Sequence, residues 1–385
     1  MAFQSSSERM LRELSQLVAI PTENPPGQEA AAAAFIRDIL APAGFEVRLD
    51  EYKPGRFNVE ARLSNGPGPV FALNTHIDTV PAGSGWTSDP FVLSERDGKL
   101  FGRGACDCKG PLIAMLEALR LLASDRAGWS GTLLGVFTGD EEIASEGARH
   151  YAAGRPAIDA VVVGEPTGNT TFSAHKGSLR PWVRVEGLSA HSGSPHLGKN
   201  AIFLAGVLMP VFEAFHRDVL SGRNHPLVGS PSLTVTRIKG GTSDNVVPDA
   251  CDLLVDRRLI PGETEAEALA EISALLQQAQ DMHGIRAFIL GQNATTGGAT
   301  ETDVTAPIVA ASLAACSAAG LAKPGPFGFQ GACDLVHFVD AGAQGTVIGP
   351  GDLGVAHKPD EFVPKDEFLV SASIYADVAR RMLAA

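Results

Sequence analysis

The sequence predicts an α/β fold: an open, mostly parallel sheet flanked by helices, with a smaller α/β sandwich of order βαββαβ inserted into it. Three observations predict it. In the first half, short apolar runs alternate with stretches of helical periodicity. Between about residues 179 and 290 the order changes to strand, helix, two strands, helix, strand. The last stretch returns to the first pattern, so the predicted domains are 1–178 with 291–385, and 179–290. At 385 residues the chain also exceeds the roughly 250–300 residues beyond which one core stops growing.

Each element follows from its local pattern. Residues 8–20 and 28–43 carry helical periodicity, the first behind a serine cap. Pro69–Thr75 (PVFALNT), Leu133–Thr138 (LLGVFT) and Ala160–Gly164 (AVVVG) are short apolar runs, as expected of strands covered on both faces. Pro111–Ser124 reads as a helix with proline in its first turn. In the insertion, PWVRVEG is followed by a helix from Asn200, the strands SLTVTRIKG and CDLLVDRRL, a helix after Pro261 and the strand RAFIL. The apolar window 306–321 is too short to span a membrane and reads as a core helix.

Composition narrows the function. Hydrophobic residues at 44% and charged residues at 19% describe a globular chain with a packed core. A net charge of -13 argues against a nucleic-acid or anionic-membrane partner, which clustered Lys and Arg would meet. The N-terminus lacks the basic and apolar regions of a secretory signal, so the cytoplasm is the expected location. Five cysteines, an odd number without the spacing of a disulfide framework, read as reduced thiols.

Ligands of open α/β sheets sit beyond the carboxyl ends of the strands. There the sequence places His76 and Asp78 (HIDTV), Asp140, Glu141 and Glu142 (GDEE), and Glu165 (GEPT), while loops supply Asp107 (GRGACDCKG) and His357 (GPGDLGVAHKPDE). An HxD pair or adjacent glutamates alone are more often surface features. Gathered at one rim, these carboxylates would repel one another unless cations neutralise them. Imidazole with carboxylate suits zinc, with cobalt or manganese as chemically acceptable substitutes. Two ions about 3.5–4 Å apart can activate a water and polarise a carbonyl.

In order and spacing, HIDTV, WTSDPF, GRGACDCKG, GDEE, GEPT and GPGDLGVAHKPDE resemble the acetylornithine deacetylases, succinyl-diaminopimelate desuccinylases, aminoacylases and glutamate carboxypeptidases. The resemblance covers nearly the whole chain. It implies that His76, Asp107 and Glu165 hold one zinc and that Asp107, Glu142 and His357 hold the other, with Asp107 as the bridge. Asp78 would hydrogen-bond the free nitrogen of His76, and Glu141 would be the general base. The insertion would be a lid and dimerisation domain, with His191 (GLSAHSG) reaching a partner subunit's site to stabilise an oxyanion. Asn245 (SDNVVP) and Arg258 (DRRL) match substrate-contacting positions, and Arg257 should face the other way. Cys333, in GACD, stands with Ala332 in a pocket-lining segment where relatives carry small hydroxyl residues, and Cys108 reads as buried beside the metals rather than bound to them.

The implied activity is hydrolysis of the amide bond of an N-acyl amino acid or related small carboxylated substrate by a homodimer. A dipeptidase or glutamate-carboxypeptidase-like exopeptidase would use the same site. A hydrolase with Cys106, Cys108 or Cys333 as nucleophile and a non-catalytic metal-dependent binding protein are the readings from other classes; Glu141 beside Glu142 speaks against the last.

Overall fold

The computed structural model describes residues 5–154, 158–321 and 325–384. The chain divides into two compact units: residues 1–174, 301–329 and 333–385 form the first, and residues 175–300 with 330–332 the second. The second unit thus begins before residue 179 and runs past 290, because the strand at Ala287–Asn293 continues beyond the apolar residues that marked it in the sequence.

In the first unit, four parallel strands stand in the order Gly131–Thr138, Val70–His76, Ala160–Val163 and Gln344–Val347. Arg56–Asn65 and then Glu46–Lys53 extend the sheet antiparallel on the Gly131–Thr138 side. Successive side chains point to opposite faces of a strand, and here both faces are covered. Phe71, Leu73, Leu133, Phe137, Ala160 and Val162 join one apolar cluster, with helices Ser7–Val18, Lys109–Ser124, Pro307–Ala318 and Lys365–Met382. Ala72, Leu134, Val136, Val161 and Val163 join another, with Tyr151 of helix Glu146–Ala153 and Leu335 and Phe338 of helix Leu335–Asp340. This double burial is why the central strands read as unbroken apolar runs. The register aligns His76 with Thr138 and Asn74 with Val163, so three strands end on a common rim.

The second unit is a four-stranded antiparallel sheet in the order Ser232–Gly240, Ala250–Leu259, Gly177–Glu186, Ala287–Asn293. Helices Ala201–Asp218 and Glu265–His283 bury Ala205, Leu208, Phe212, Ile272 and Leu276 in one cluster with the strand residues Val183, Val185, Leu253 and Val255. Asn200 caps the first helix, accepting from Ile202 N at 2.9 Å, and Thr264 with Glu267 forms a capping box on the second. A short ribbon pairs Ala190–His191 with Val246–Val247. All five cysteines are free and buried. Among the described residues no helix is long and apolar enough to cross a membrane.

Candidate metal centre

The rim of the first unit's sheet gathers the polar residues that follow its strands. His76 ends one strand, Glu141 and Glu142 follow the strand ending at Thr138, and Glu165 follows the strand ending at Val163. Asp107 enters from the loop before helix Lys109–Ser124, and His357 from the loop before the C-terminal helix. His357 holds a left-handed backbone, φ 63, an uncommon conformation for a residue with a Cβ.

Asp107 stands between two groups of donors. Its Oδ1 lies 3.1 Å from His76 Nε2, and its Oδ2 lies 3.2 Å from His357 Nε2. His357 Nε2 is in turn 3.0 Å from Glu142 Oε2. On the other side, His76, Asp107, Cys108 and Glu165 each offer one atom, all within 4.8 Å of one another and all buried. Asp107, Glu142 and His357 make a second such group, in which the His357 side chain is 52% exposed.

The electrostatics call for positive charge here. Burial, and then the neighbouring Glu165, push the Glu141 carboxyl well above the ordinary range; Glu165 is raised by burial and by Asp107. Burial works against a charged His76, yet Cys108, Asp107 and Asp78 raise its imidazole well above the usual value. His357 is pushed up to about 10 by its bonds to Asp107 and Glu142. Carboxylates packed this closely draw protons onto the imidazoles, a role that cations can take over. Glu165 Oε1 is buried with no hydrogen-bond partner, as suits a donor set aimed at ions. Mixed carboxylate and imidazole donors fit borderline or hard divalent cations.

Around this set runs a layer of supporting contacts. His76 Nδ1 bonds the main-chain carbonyl of Asp78 at 2.8 Å, whereas the Asp78 carboxylate is 3.7 Å away. That carboxylate instead accepts the N–H of Glu141 at 3.1 Å, of Glu142 at 3.3 Å and of the Asn24 amide at 2.8 Å. The sequence-based expectation of a side-chain contact to His76 is therefore corrected to a main-chain one. Glu361 plays a matching part for the other loop. Its Oε1 accepts from Cys106 N at 3.0 Å and Asp107 N at 3.1 Å, while its Oε2 pairs with the buried Arg103. Burial and then Asp107 push the Glu361 carboxyl up to about 7. Glu361, Arg103 and Asn24 were not singled out in the sequence; the acid four residues after His357 was the available signal for Glu361.

His191, Asn245 and Arg258 belong to the second unit. Gly193 N donates to His191 Nδ1 at 3.0 Å, leaving Nε2 of this exposed imidazole as its N–H donor. The carbonyl of Asn245 accepts from Ser192 N at 2.9 Å, so these two positions share one ribbon. Arg258 Nε bonds Asp256 at 2.9 Å on one face of its strand; Arg257 is buried on the opposite face against Glu263 and Glu271. Cys333 is fully buried in the apolar cluster that contains Phe329 and Leu335.

The model of "Peptidase family M20/M25/M40" matches residues 72–381, a span containing every residue of the metal centre. The chain is 31% identical to an acetylornithine deacetylase of Vibrio vulnificus, covering 92% of this chain and 93% of the relative. It is 28% identical to a probable succinyl-diaminopimelate desuccinylase of Staphylococcus epidermidis, covering 98% of each. The Bacillus subtilis YXEP protein, described as a dinuclear metal-binding peptidase, superposes with a TM-score of 0.76 at 19% identity over 98% of each chain. Aminopeptidase PepT of Bacillus cereus superposes with a TM-score of 0.80 at 21% identity over 98% of this chain and 99% of that one. By the extent of the family match and of the sequence identity, the chain belongs to peptidase family M20/M25/M40.

Proposed function

We propose that this metallo-hydrolase cleaves the amide bond of an N-acyl amino acid or a related small carboxylated substrate, with two zinc ions as its cofactors. The observation that carries the reading is Asp107, which turns one carboxylate oxygen to His76 at 3.1 Å and the other to His357 at 3.2 Å. His76, Asp107 and Glu165 would hold one ion and Asp107, Glu142 and His357 the other, with cobalt or manganese as substitutes. When bound, such a pair supplies Lewis-acid polarisation of the scissile carbonyl and lowers the pKa of the attacking water.

The chain's own residues do the rest. Glu141 takes the proton from the attacking water on its carboxylate and delivers it to the leaving amine nitrogen. Burial and the neighbouring Glu165 work against charge on Glu141, and the cations would offset that and leave its carboxylate free to accept the proton. Asp78 fixes the main chain of Glu141 and Glu142 through two N–H bonds. His191, with Nε2–H free to donate, would reach a partner subunit's site and stabilise the charge gathering on the carbonyl oxygen there. Arg258 and Asn245 recognise the substrate carboxylate, Arg258 through its planar fork, and Cys333 belongs to the segment that lines the substrate pocket. The working form is a homodimer assembled through the inserted unit, located in the cytoplasm.

The identity to an acetylornithine deacetylase supports the acyl-amino-acid reading. The family's peptidases keep an exopeptidase reading on the same residues. Rates on acetyl, succinyl and formyl amino acids and on free dipeptides, with zinc or cobalt and after exhaustive chelation, test both. Acyl amino acids turned over faster than dipeptides, with loss on chelation, are expected. Full activity in chelated protein overturns the metal mechanism, and comparable dipeptide rates favour the exopeptidase.

A further inference from the structure

The two donor groups of the metal centre differ in number and chemistry. Cys108 is the reason. Its Sγ lies 3.0 Å from Asp107 Oδ1 and 3.5 Å from Glu165 Oε2, inside the same group of atoms as His76 Nε2. Cys106, two residues earlier, turns its sulfur to the carbonyl of Asp352 at 3.6 Å. The other oxygen of Glu165, Oε1, is buried without a hydrogen-bond partner, while the sulfur touches Oε2.

We propose that Cys108 is a metal donor, so that the centre consists of a closed position and an open one. The closed position has four buried donors, His76, Asp107, Cys108 and Glu165. The open position has Asp107, Glu142 and the half-exposed His357, and keeps room for water and substrate. Sulfur among the donors makes the closed position the tighter of the two for borderline ions such as zinc and cobalt, and a poor one for magnesium. On loading, the S–H bond of Cys108 breaks, a sulfur–metal bond forms and the proton leaves to solvent. The burial of Cys108 expected from the sequence holds, and the proposal adds ligation to it. This inference rests on the dinuclear reading above.

Cobalt(II) added stepwise to the chelator-stripped full-length protein tests it. A thiolate bound to cobalt gives a charge-transfer absorption in the near ultraviolet that carboxylate and imidazole do not. The expected result is that this band grows with the first equivalent and is complete before the second binds. Cys108→Ala and Cys108→Ser should lack the band, keep the wild-type circular dichroism, and bind the first equivalent roughly 10- to 100-fold more weakly. Cys106→Ala should keep the band. Two equivalents bound by the wild type without a thiolate band, or a band surviving in Cys108→Ala, would overturn the assignment while leaving the dinuclear hydrolase standing. Protein that binds no cobalt overturns both.

Discussion

The Asp78 carboxylate accepts the main-chain N–H of Glu141 at 3.1 Å, so the proposed base is positioned by a residue that follows a different strand. The same carboxylate holds Glu142 and the Asn24 amide. Burial works against its charge, but His76, Asn24 and the Glu141 N–H together keep the Asp78 carboxyl below the ordinary range. Asp78→Ala removes the acceptor of all three donors and frees the loop. Turnover is expected to fall about 10- to 100-fold, with a smaller loss of metal affinity. Steady-state kinetics beside a metal titration check this; unchanged kcat would mean that the loop holds itself.

Glu141 itself separates chemistry from binding. It is absent from both donor groups, so Glu141→Gln should retain two metal equivalents and substrate affinity. Turnover should drop by roughly 10²- to 10⁴-fold, the usual contribution of a positioned proton carrier. Elemental analysis and kcat on the same preparation make the comparison. Loss of metal together with activity would reassign Glu141 as a ligand.

Protons and ions compete for His357. Without metal, its folded-state pKa of about 10 lies above the ordinary 6.5, so the folded chain binds the proton more tightly than the unfolded chain. The stability that this contributes is fully present below 6.5 and is lost as pH rises through 10. An ion that replaces the proton abolishes the dependence. The melting temperature of loaded protein should therefore exceed that of chelated protein by a margin that widens between pH 6.5 and 10, and metal binding in this range should release protons. Calorimetric melts in both states, repeated on His357→Gln, test it, since the variant should lose most of the widening.

How much of this was legible in the sequence depended on how local each signal was. His76, Glu142 and Glu165 could be read because each follows an apolar run whose double burial dictates its composition. The hairpin Glu46–Lys53 and Arg56–Asn65 was not, since its outer strand, EVRLDEYK, is half-exposed along its length and carries no apolar run. Asp78 was legible as a partner of His76, but not the atom it uses, because carbonyl and carboxylate of one residue are equally near in sequence. Glu361 is 254 residues from the Asp107 N–H it accepts, and no local pattern records such a meeting of loops. The burial of Cys108 beside the metal residues was legible, but the closeness of its sulfur to three other donor atoms was not, because only the fold brings them together.

That meeting of loops makes the last prediction. Glu361 and Arg103 are both about 1% exposed as side chains, and Glu361 also accepts the N–H groups of Cys106 and Asp107. Glu361→Ala leaves the Arg103 guanidinium buried without its carboxylate, at a cost of about 3–5 kcal/mol. Stability alone would not show that the pair positions Asp107. The double variant Glu361→Met with Arg103→Met removes both charges and should recover much of the lost stability, because paired buried charges can be replaced by apolar groups at little net cost. It should not recover metal affinity, since the two N–H groups still lack their acceptor. Urea denaturation read beside a cobalt titration distinguishes the cases: affinity returning together with stability would show that Glu361 supports the fold and not the position of Asp107.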